Sequence, residues 1–250
     1  MSVNYAAGLS YYPNKGKCGQ PEVFDAPDQL DSKIHILTDW IQASSHLVIH
    51  TGAGVSTSSG IPDFRGPRGV WTLEEKGISC PIATTFDDAC PTFTHMAVKA
   101  LEDANIVKYL VTQNIDGLHI RSGFPRDRLS EIHGDVFVEE CINCRSQFFS
   151  ETSVPTVGLK MTGNYCPGKK TNGRPCRGKL RDVILDWEDS LPPYDLVMAE
   201  YQTRNADMVL VLGSSLQIIP AGTMPFLAKK KGGRVAIVNL QETKHVCSFS

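Results

Sequence analysis

Four short, nearly uninterrupted apolar runs constrain this 250-residue chain more than any other feature: Leu47-Val48-Ile49, Ile106 to Thr112, Met208 to Leu212 and Val235 to Val238. A strand with one face in water alternates apolar and polar residues, whereas a continuous apolar run must be covered on both faces. Helical signals separate the runs. From Asp28, Leu30, Ile34, Leu37 and Ile41 recur at helical spacing until Ser44-Ser45. Thr94 is placed to cap a helix running through Ala104, Pro193 to Asn205 reads as another, and a further helix to Lys231 is closed by Gly232-Gly233. Strands alternating with helices in this way predict an α/β fold: a Rossmann-like parallel sheet with helices on both faces. Residues 1–27, rich in Tyr, Pro and Gly, show no sustained period and read as an irregular N-terminal extension.

A hydrophobic content of 41% in a chain of this length is enough to bury a sizeable core. No apolar run approaches the roughly 20 residues of a membrane span, and the N-terminus carries no basic segment followed by an apolar one. Neither a membrane nor an export signal is expected. The formal net charge of −2 provides no global field to hold the protein on nucleic acid, so any such contact must be local.

Eight cysteines without an export signal argue for a reducing compartment, where clustered thiols more often bind metal than form disulfides. Cys141-x-x-Cys144, followed by Cys166 and Cys176, supplies four thiolates from two hairpin-like arms in the region that breaks the strand–helix alternation. Such a set suits one tetrahedral zinc ion, and because four cysteines fill the coordination sphere the ion would be structural. Free or redox thiols remain the alternative, since the second pair is widely spaced. Cys18, Cys80, Cys90 and Cys247 have no partner at ligand spacing.

The stretch after the first apolar run, Gly52-Ala53-Gly54-Val55-Ser56-Thr57 through Ile61-Pro62-Asp63-Phe64-Arg65, resembles a strand-to-helix turn. Its glycines would let the backbone approach a pyrophosphate, and its small hydroxyl residues could open a helix whose N-terminus holds the anion. Thr57 replaces the third glycine of the common dinucleotide fingerprint, and no acidic residue ends a second strand to take a ribose, which weakens a dehydrogenase reading. Gln113-Asn114-Ile115-Asp116-Gly117-Leu118-His119, Gly213-Ser214-Ser215 and Asn239-x-Gln241 follow three other runs. Four strand ends would thus converge on one crevice, where open α/β sheets bind ligands. His133, in Glu131-Ile132-His133-Gly134, is one of seven histidines, and spacing alone does not separate a structural role from a catalytic one.

The segments Gly52 to Arg65, Gln113 to His119, Ile132-His133-Gly134, the two cysteine pairs and Gly213-Ser214-Ser215-Leu216 are together similar, in this order, to the sirtuin family. Met1 to Leu9, Gly66 to Trp71, Arg121 to Arg126 and Ile184 to Pro192 resemble its nuclear, chromatin-associated sirtuin-six branch. The resemblance implies a Rossmann-like NAD-binding domain formed by residues 28–136 and 182–245, interrupted by a zinc module at 137–181. It implies that Ala53, Thr57, Asp63, Phe64, Arg65 and Trp71 belong to the loop around NAD. Gln113, Gly213, Ser214, Ser215, Asn239 and Gln241 would lie along its riboses and adenine, with Asn114 and Asp116 in the nicotinamide pocket. It further implies that an acyl-lysine oxygen attacks the nicotinamide ribose and that His133 takes a proton from a ribose hydroxyl. The products would be nicotinamide, free lysine and O-acyl-ADP-ribose. Acylated histone tails and a chromatin contact in the nucleus are the implied partners, acetyl or long-chain fatty acyl the implied groups, and protein ADP-ribosyl transfer a possible side activity.

Two features extend this. Trp187, flanked by Asp186, Glu188 and Asp189, offers an apolar surface for an acyl-lysine stem beside charge that favours a basic peptide, or else packs within a solvated acidic loop. Lys169, Lys170, Arg174, Arg177, Lys179 and Arg181 form a basic run in the cysteine region, suited to phosphate or an acidic protein surface. After Lys244-His245 the family normally continues through another strand and helix, whereas residues 246–250 diverge. The expectation is therefore a deacylase lacking the last piece of its fold, with an inactive chromatin-binding module and an NAD-dependent oxidoreductase as the competing classes.

Overall fold

The computed structural model describes residues 3–81 and 84–245; the divergent tail 246–250, with Cys247, lies outside the described residues. In chain order the elements are α1 (Pro27–Gln42), β1 (Leu47–Thr51), α2 (Val70–Glu75), α3 (Phe93–Asp103), β2 (Val107–Thr112), α4 (Leu118–Arg121), β3 (Leu129–Glu131), β4 (Val138–Cys141), β5 (Gln147–Phe149), β6 (Met161–Tyr165), β7 (Lys179–Asp182), α5 (Pro193–Asn205), β8 (Met208–Leu212) and β9 (Arg234–Val238). Short 3-10 turns occupy Tyr5–Gly8, Ala53–Val55, Thr57–Ser59, Arg126–Arg128 and Met224–Lys231. Among the described residues no helix is long and apolar enough to cross a membrane.

The larger sheet has the order β3-β2-β1-β8-β9 and is parallel throughout. The apolar runs of β1, β2 and β8 are buried as their composition demands, whereas β9, an edge strand with a neighbour on one side only, is partly covered and leaves Val238 49% exposed, contrary to its continuous apolar pattern. Leu47, Ile49, Leu110, Met208 and Leu210 face one side, with Leu37, Trp40 and Ile41 of α1 and Val98 of α3. Val48, Tyr109, Val111, Val209 and Val211 face the other, with Ala199 of α5 and the turn containing Met224 and Ala228. Each fully buried aliphatic side chain here contributes about 1.5–3 kcal/mol of transfer free energy, which is why the period-2 alternation is lost. Of the apolar stripe on α1, only the C-terminal half is used: Leu30 and Ile34 remain 47% and 49% exposed.

Three local expectations are corrected. Thr92, not Thr94, caps α3: its hydroxyl accepts from His95 N while the His95 ring accepts from Thr92 N, a reciprocal box that Thr94 cannot form. The segment ending at Lys231 is a 3-10 helix rather than an α-helix, closed by Gly232 in the left-handed region. No α-helix opens directly after Gly52-Ala53-Gly54; two 3-10 turns stand there, and the next helix begins only at Val70.

The smaller sheet, β5-β4-β7-β6, is antiparallel. Asp182, at the end of β7, joins it to the rest of the molecule. Wholly buried, its carboxylate accepts from Leu159 N, Lys160 N, Ile184 N and the Thr156 hydroxyl at 2.7–3.1 Å. A carboxylate with four donors is well compensated for its burial.

Candidate functional site

β1 is central, with β2 on one side and β8 on the other, so the connections leaving β1 and β8 diverge and open a crevice at their carboxyl ends. The crevice encloses about 690 Å³ including its open mouth. Ala53 after β1, Gln113 and Asn114 after β2, Gly213, Ser214 and Ser215 after β8, and Asn239 and Gln241 after β9 all line it. So do Asp63, Phe64, Arg65, Trp71, His133 and Trp187. The glycines have a role that spacing did not disclose. A Cβ on Gly54 would lie 2.8 Å from Gly213 Cα, and one on Gly213, at φ +60°, would lie 2.7 Å from Val55 N. The β1 and β8 loops touch backbone to backbone, with Gly54 N donating to Gly213 O at 2.9 Å. Glycine is needed for loop-on-loop packing before any ligand is considered.

Ligand-facing polar groups are held by one another. Gln113 Nε2 donates to Ser214 Oγ (3.0 Å), tying the β2 and β8 ends together. Asn114 Nδ2 donates to Gly52 O and Ser56 Oγ, both at 3.1 Å, and Ser56 Oγ donates to Asp116 Oδ2 at 2.6 Å. Asp116 also accepts from Leu118 N. Ser56 is 1% exposed and centres this network; in the sequence it stands out only as a helix-opening hydroxyl, its place in the glycine loop being the one signal of a further role. Asp116 does not reach the main crevice. It lines a second cavity, of about 430 Å³ including its open mouth, with Asn114, Ser56 and the N-terminal residues Val3 to Ala6. Thr57 lines neither cavity; it is exposed, its hydroxyl donating to Gly54 O.

His133 Nδ1 lies 3.1 Å from Gln113 O. A carbonyl only accepts, so Nδ1 carries the proton and Nε2 keeps its lone pair. Burial pushes the imidazole down to about 4, so it is neutral near pH 7. Two residues to either side stand the buried carboxyls of Glu131 and Asp135, which act on each other electrostatically, with Arg126 3.0 Å from Glu131. Burial raises both carboxyls, Asp135 to about 6. Gly134, at φ +94°, lets this loop pass against Val183 O, where a Cβ would be 2.1 Å away.

Trp187 is not an open apolar surface. It stacks on Tyr12 at 5.1 Å, contacts Trp71 at 5.2 Å, and donates from Nε1 to Ser10 O. Asp186 accepts from Ser10 N and Oγ. Arg65 lies 4.5 Å over the Trp71 ring and donates to Lys15 O. The N-terminal extension, unreadable as an element, is therefore a strap across one wall of the crevice.

Cys141, Cys144, Cys166 and Cys176 place their sulfurs within 4.8 Å of one another. Cys141 and Cys176 are 3.7 Å apart, as are Cys144 and Cys166. That is too far for a disulfide, whose sulfurs lie about 2.05 Å apart, and close to the ~3.8 Å edge of a tetrahedron with Zn–S bonds near 2.3 Å. Asn143 N and Cys144 N point at Cys141 Sγ, and Gly168 N at Cys166 Sγ. Such N–H donors stabilise thiolate ligands. The four residues fit one structural zinc ion. Of the basic run, Lys169, Lys170, Arg174, Arg177 and Lys179 are exposed, whereas Arg181 is paired with Glu140 at 2.8 Å.

The profile of the Sir2 family matches residues 79–220. The chain belongs to the Sir2 family, the sirtuins. This sirtuin is 51% identical over 247 residues to the Drosophila melanogaster NAD-dependent protein deacetylase Sirt6, spanning 98% of the chain and 78% of that protein. It is 50% identical over 244 residues to the NAD-dependent protein deacetylase SRT1 of Oryza sativa subsp. indica, of which it covers half. Among solved structures it resembles a Sir2–p53 peptide–NAD+ complex (TM-score 0.63, 30% identity, 86% of this chain and 89% of the other) and a mutant Sir2 homologue in complex with ADP ribose (TM-score 0.65, 28% identity, 85% and 87%). The crevice residues fit such a dinucleotide: the polar groups of four strand ends line one space, and the loops of β1 and β8 are held together by glycine packing.

Proposed function

We propose that this sirtuin is an NAD-dependent protein-lysine deacylase, with histone tails as its substrates, acetyl or long-chain fatty acyl as the group removed, and the nucleus as its place of work. Residues 28–136 and 182–245 would form the nucleotide-binding domain and 137–181 the zinc module. The observation that carries the reading is His133: a neutral imidazole on the crevice wall, its Nδ1–H committed to Gln113 O and its Nε2 left as a proton acceptor. When bound, NAD supplies an electrophilic ribose carbon with nicotinamide as its leaving group. Ala53, Asp63, Phe64, Arg65 and Trp71 would enclose it, Gln113, Gly213, Ser214, Ser215, Asn239 and Gln241 would hold the riboses and adenine, and Asn114 and Asp116 the nicotinamide end. Thr57 would join them only if its loop rearranged. His133 would accept the ribose hydroxyl proton at Nε2, and Gln113 O would fix the ring's tautomer and orientation. Trp187 would flank the lysine stem with the face not covered by Tyr12. Protein ADP-ribosyl transfer is a further use of the same site.

Mass spectrometry of the protein with NAD and acetylated or myristoylated histone-tail peptides tests this. Nicotinamide and O-acyl-ADP-ribose should appear together, and only with peptide. NADH formation instead would overturn the reading in favour of an oxidoreductase.

The exposed cations of the zinc module favour a second, compatible role in chromatin contact. Nucleosome binding should weaken steeply with salt, and Arg174→Glu with Arg177→Glu should reduce it about tenfold or more at low salt. Salt-insensitive binding would rule this contact out.

A further inference from the structure

The second cavity has a wall that the strand ends do not supply. On one side it is bounded by Ser56, Ile61, Asn114 and Asp116, and on the other by the N-terminal residues Val3 to Ala6. Tyr5 lines both this cavity and the main crevice, so its ring stands at the junction between them. The ring is held edge-on against Phe64 at 5.9 Å and tilted against Phe86 at 6.2 Å. The chain is anchored on both sides of it. Val3 is 2% exposed in the cluster that holds Phe86 and Ile184, and Ser10 is bonded to Asp186 and Trp187. A tyrosine fixed between two anchors is a wall, not a dangling terminus.

We propose that Tyr5 is a positioning residue that closes the leaving-group end of the crevice, holding nicotinamide against Asn114 and Asp116 and keeping bulk water from that end. The inference rests on the assignment of Asn114 and Asp116 to nicotinamide, and gives the N-terminal strap a role in coupling cofactor cleavage to peptide turnover. Burial and the nearby Asp116 carboxylate push the Tyr5 phenol far up, so it meets the ligand as a neutral group. Without the ring, water has a path to the ribose carbon. Its oxygen would bond to that carbon, the carbon–nitrogen electron pair would leave with nicotinamide, and one proton would pass to solvent while the other stays on the new hydroxyl.

The experiment uses the full chain, Tyr5→Ala and Tyr5→Phe. Nicotinamide is titrated into each protein saturated with ADP-ribose, by ligand-observed NMR. Tyr5→Ala should bind nicotinamide about tenfold more weakly, the loss of one aromatic contact wall, with ADP-ribose affinity within about twofold of the parent; Tyr5→Phe should match the parent. In turnover, Tyr5→Ala should release more nicotinamide than it deacylates peptide, where the parent releases one for one. Parental nicotinamide affinity in Tyr5→Ala would overturn the proposal. So would an equal loss of ADP-ribose affinity, which would make Tyr5 only a brace for the strap. If the parent turns over no peptide, the deacylase reading fails, while the nicotinamide titration still decides the role of Tyr5.

Discussion

At the scale of single residues, the chemistry depends on hydrogen-bond direction. By spacing His133 is one histidine among seven; the role as a base that the family resemblance implies, and that we propose, is supported by Gln113 O lying 3.1 Å from Nδ1. Because burial pushes this imidazole down to about 4, the neutral form persists through the physiological range. The base should therefore be lost only as pH falls through that value, and kcat/KM for peptide at saturating NAD should show no His133-linked decline between pH 7 and 5. His133→Ala should lower kcat by about 10²- to 10⁴-fold, the usual worth of a general base, with zinc content and ADP-ribose binding retained. A variant that deacylates normally would remove His133 from the reaction. Ser56 and Tyr5 carry the opposite lesson. Each touches the candidate site, yet a serine in a glycine loop and a tyrosine near the terminus have no distinguishing spacing in the sequence.

At the scale of elements, strands were more legible than what connects them. A five-residue apolar run such as Met208–Leu212 is too short for a typical buried helix and suits a strand covered on both faces, so its identity is largely local information. The cap of α3 was displaced by two residues because Thr92 and Thr94 are equivalent in type, and only the position of the His95 ring distinguishes them. In the zinc module, β5 and β6 bury little: Gln147, Phe149, Met161 and Tyr165 are exposed. Four cysteines therefore do the work that a core does elsewhere. Removing zinc with a chelator should lower Tm by about 10 °C, and amide exchange should rise across 137–181 before it rises in β1 or β8. Uniform exchange across both sheets would show that the module does not unfold separately.

At the scale of the whole molecule, buried imidazoles tie stability to pH. His50 is pushed down to about 3 and His119 well below its ordinary value, both by burial. The unfolded chain takes up these protons near pH 6.5 and the folded one does not, so stability is lost as pH falls below 6.5, by up to about 1.4 kcal/mol per unit per group until the folded value is reached. Asp135 acts in the other direction: raised to about 6, it stabilises the fold most below the ordinary carboxylate range, and that contribution disappears as pH rises through about 6. His50→Gln, which retains a donor for Thr203, should lose about 2 kcal/mol less than the parent between pH 6.5 and 5 in urea unfolding. An identical pH slope in the two proteins would show that His50 is not a source of the acid sensitivity.

The sequence by itself determined the class of sheet, the four candidate cysteine ligands and the four strand ends that meet at one crevice. Each of these is written in local pattern: apolar continuity, ligand type, and polar residues immediately after a strand. Only the tertiary structure decided that Gly52, Gly54 and Gly213 serve one another's packing, that Asp116 faces a second cavity, and that Trp187 is covered by Tyr12. It also decided that Val3 to Ala6 wall the second cavity. These facts are contacts between segments distant along the chain, as between Ser10 and Asp186, separated by 176 positions. No period or spacing encodes which distant loop will occupy the space beside a given side chain; packing does.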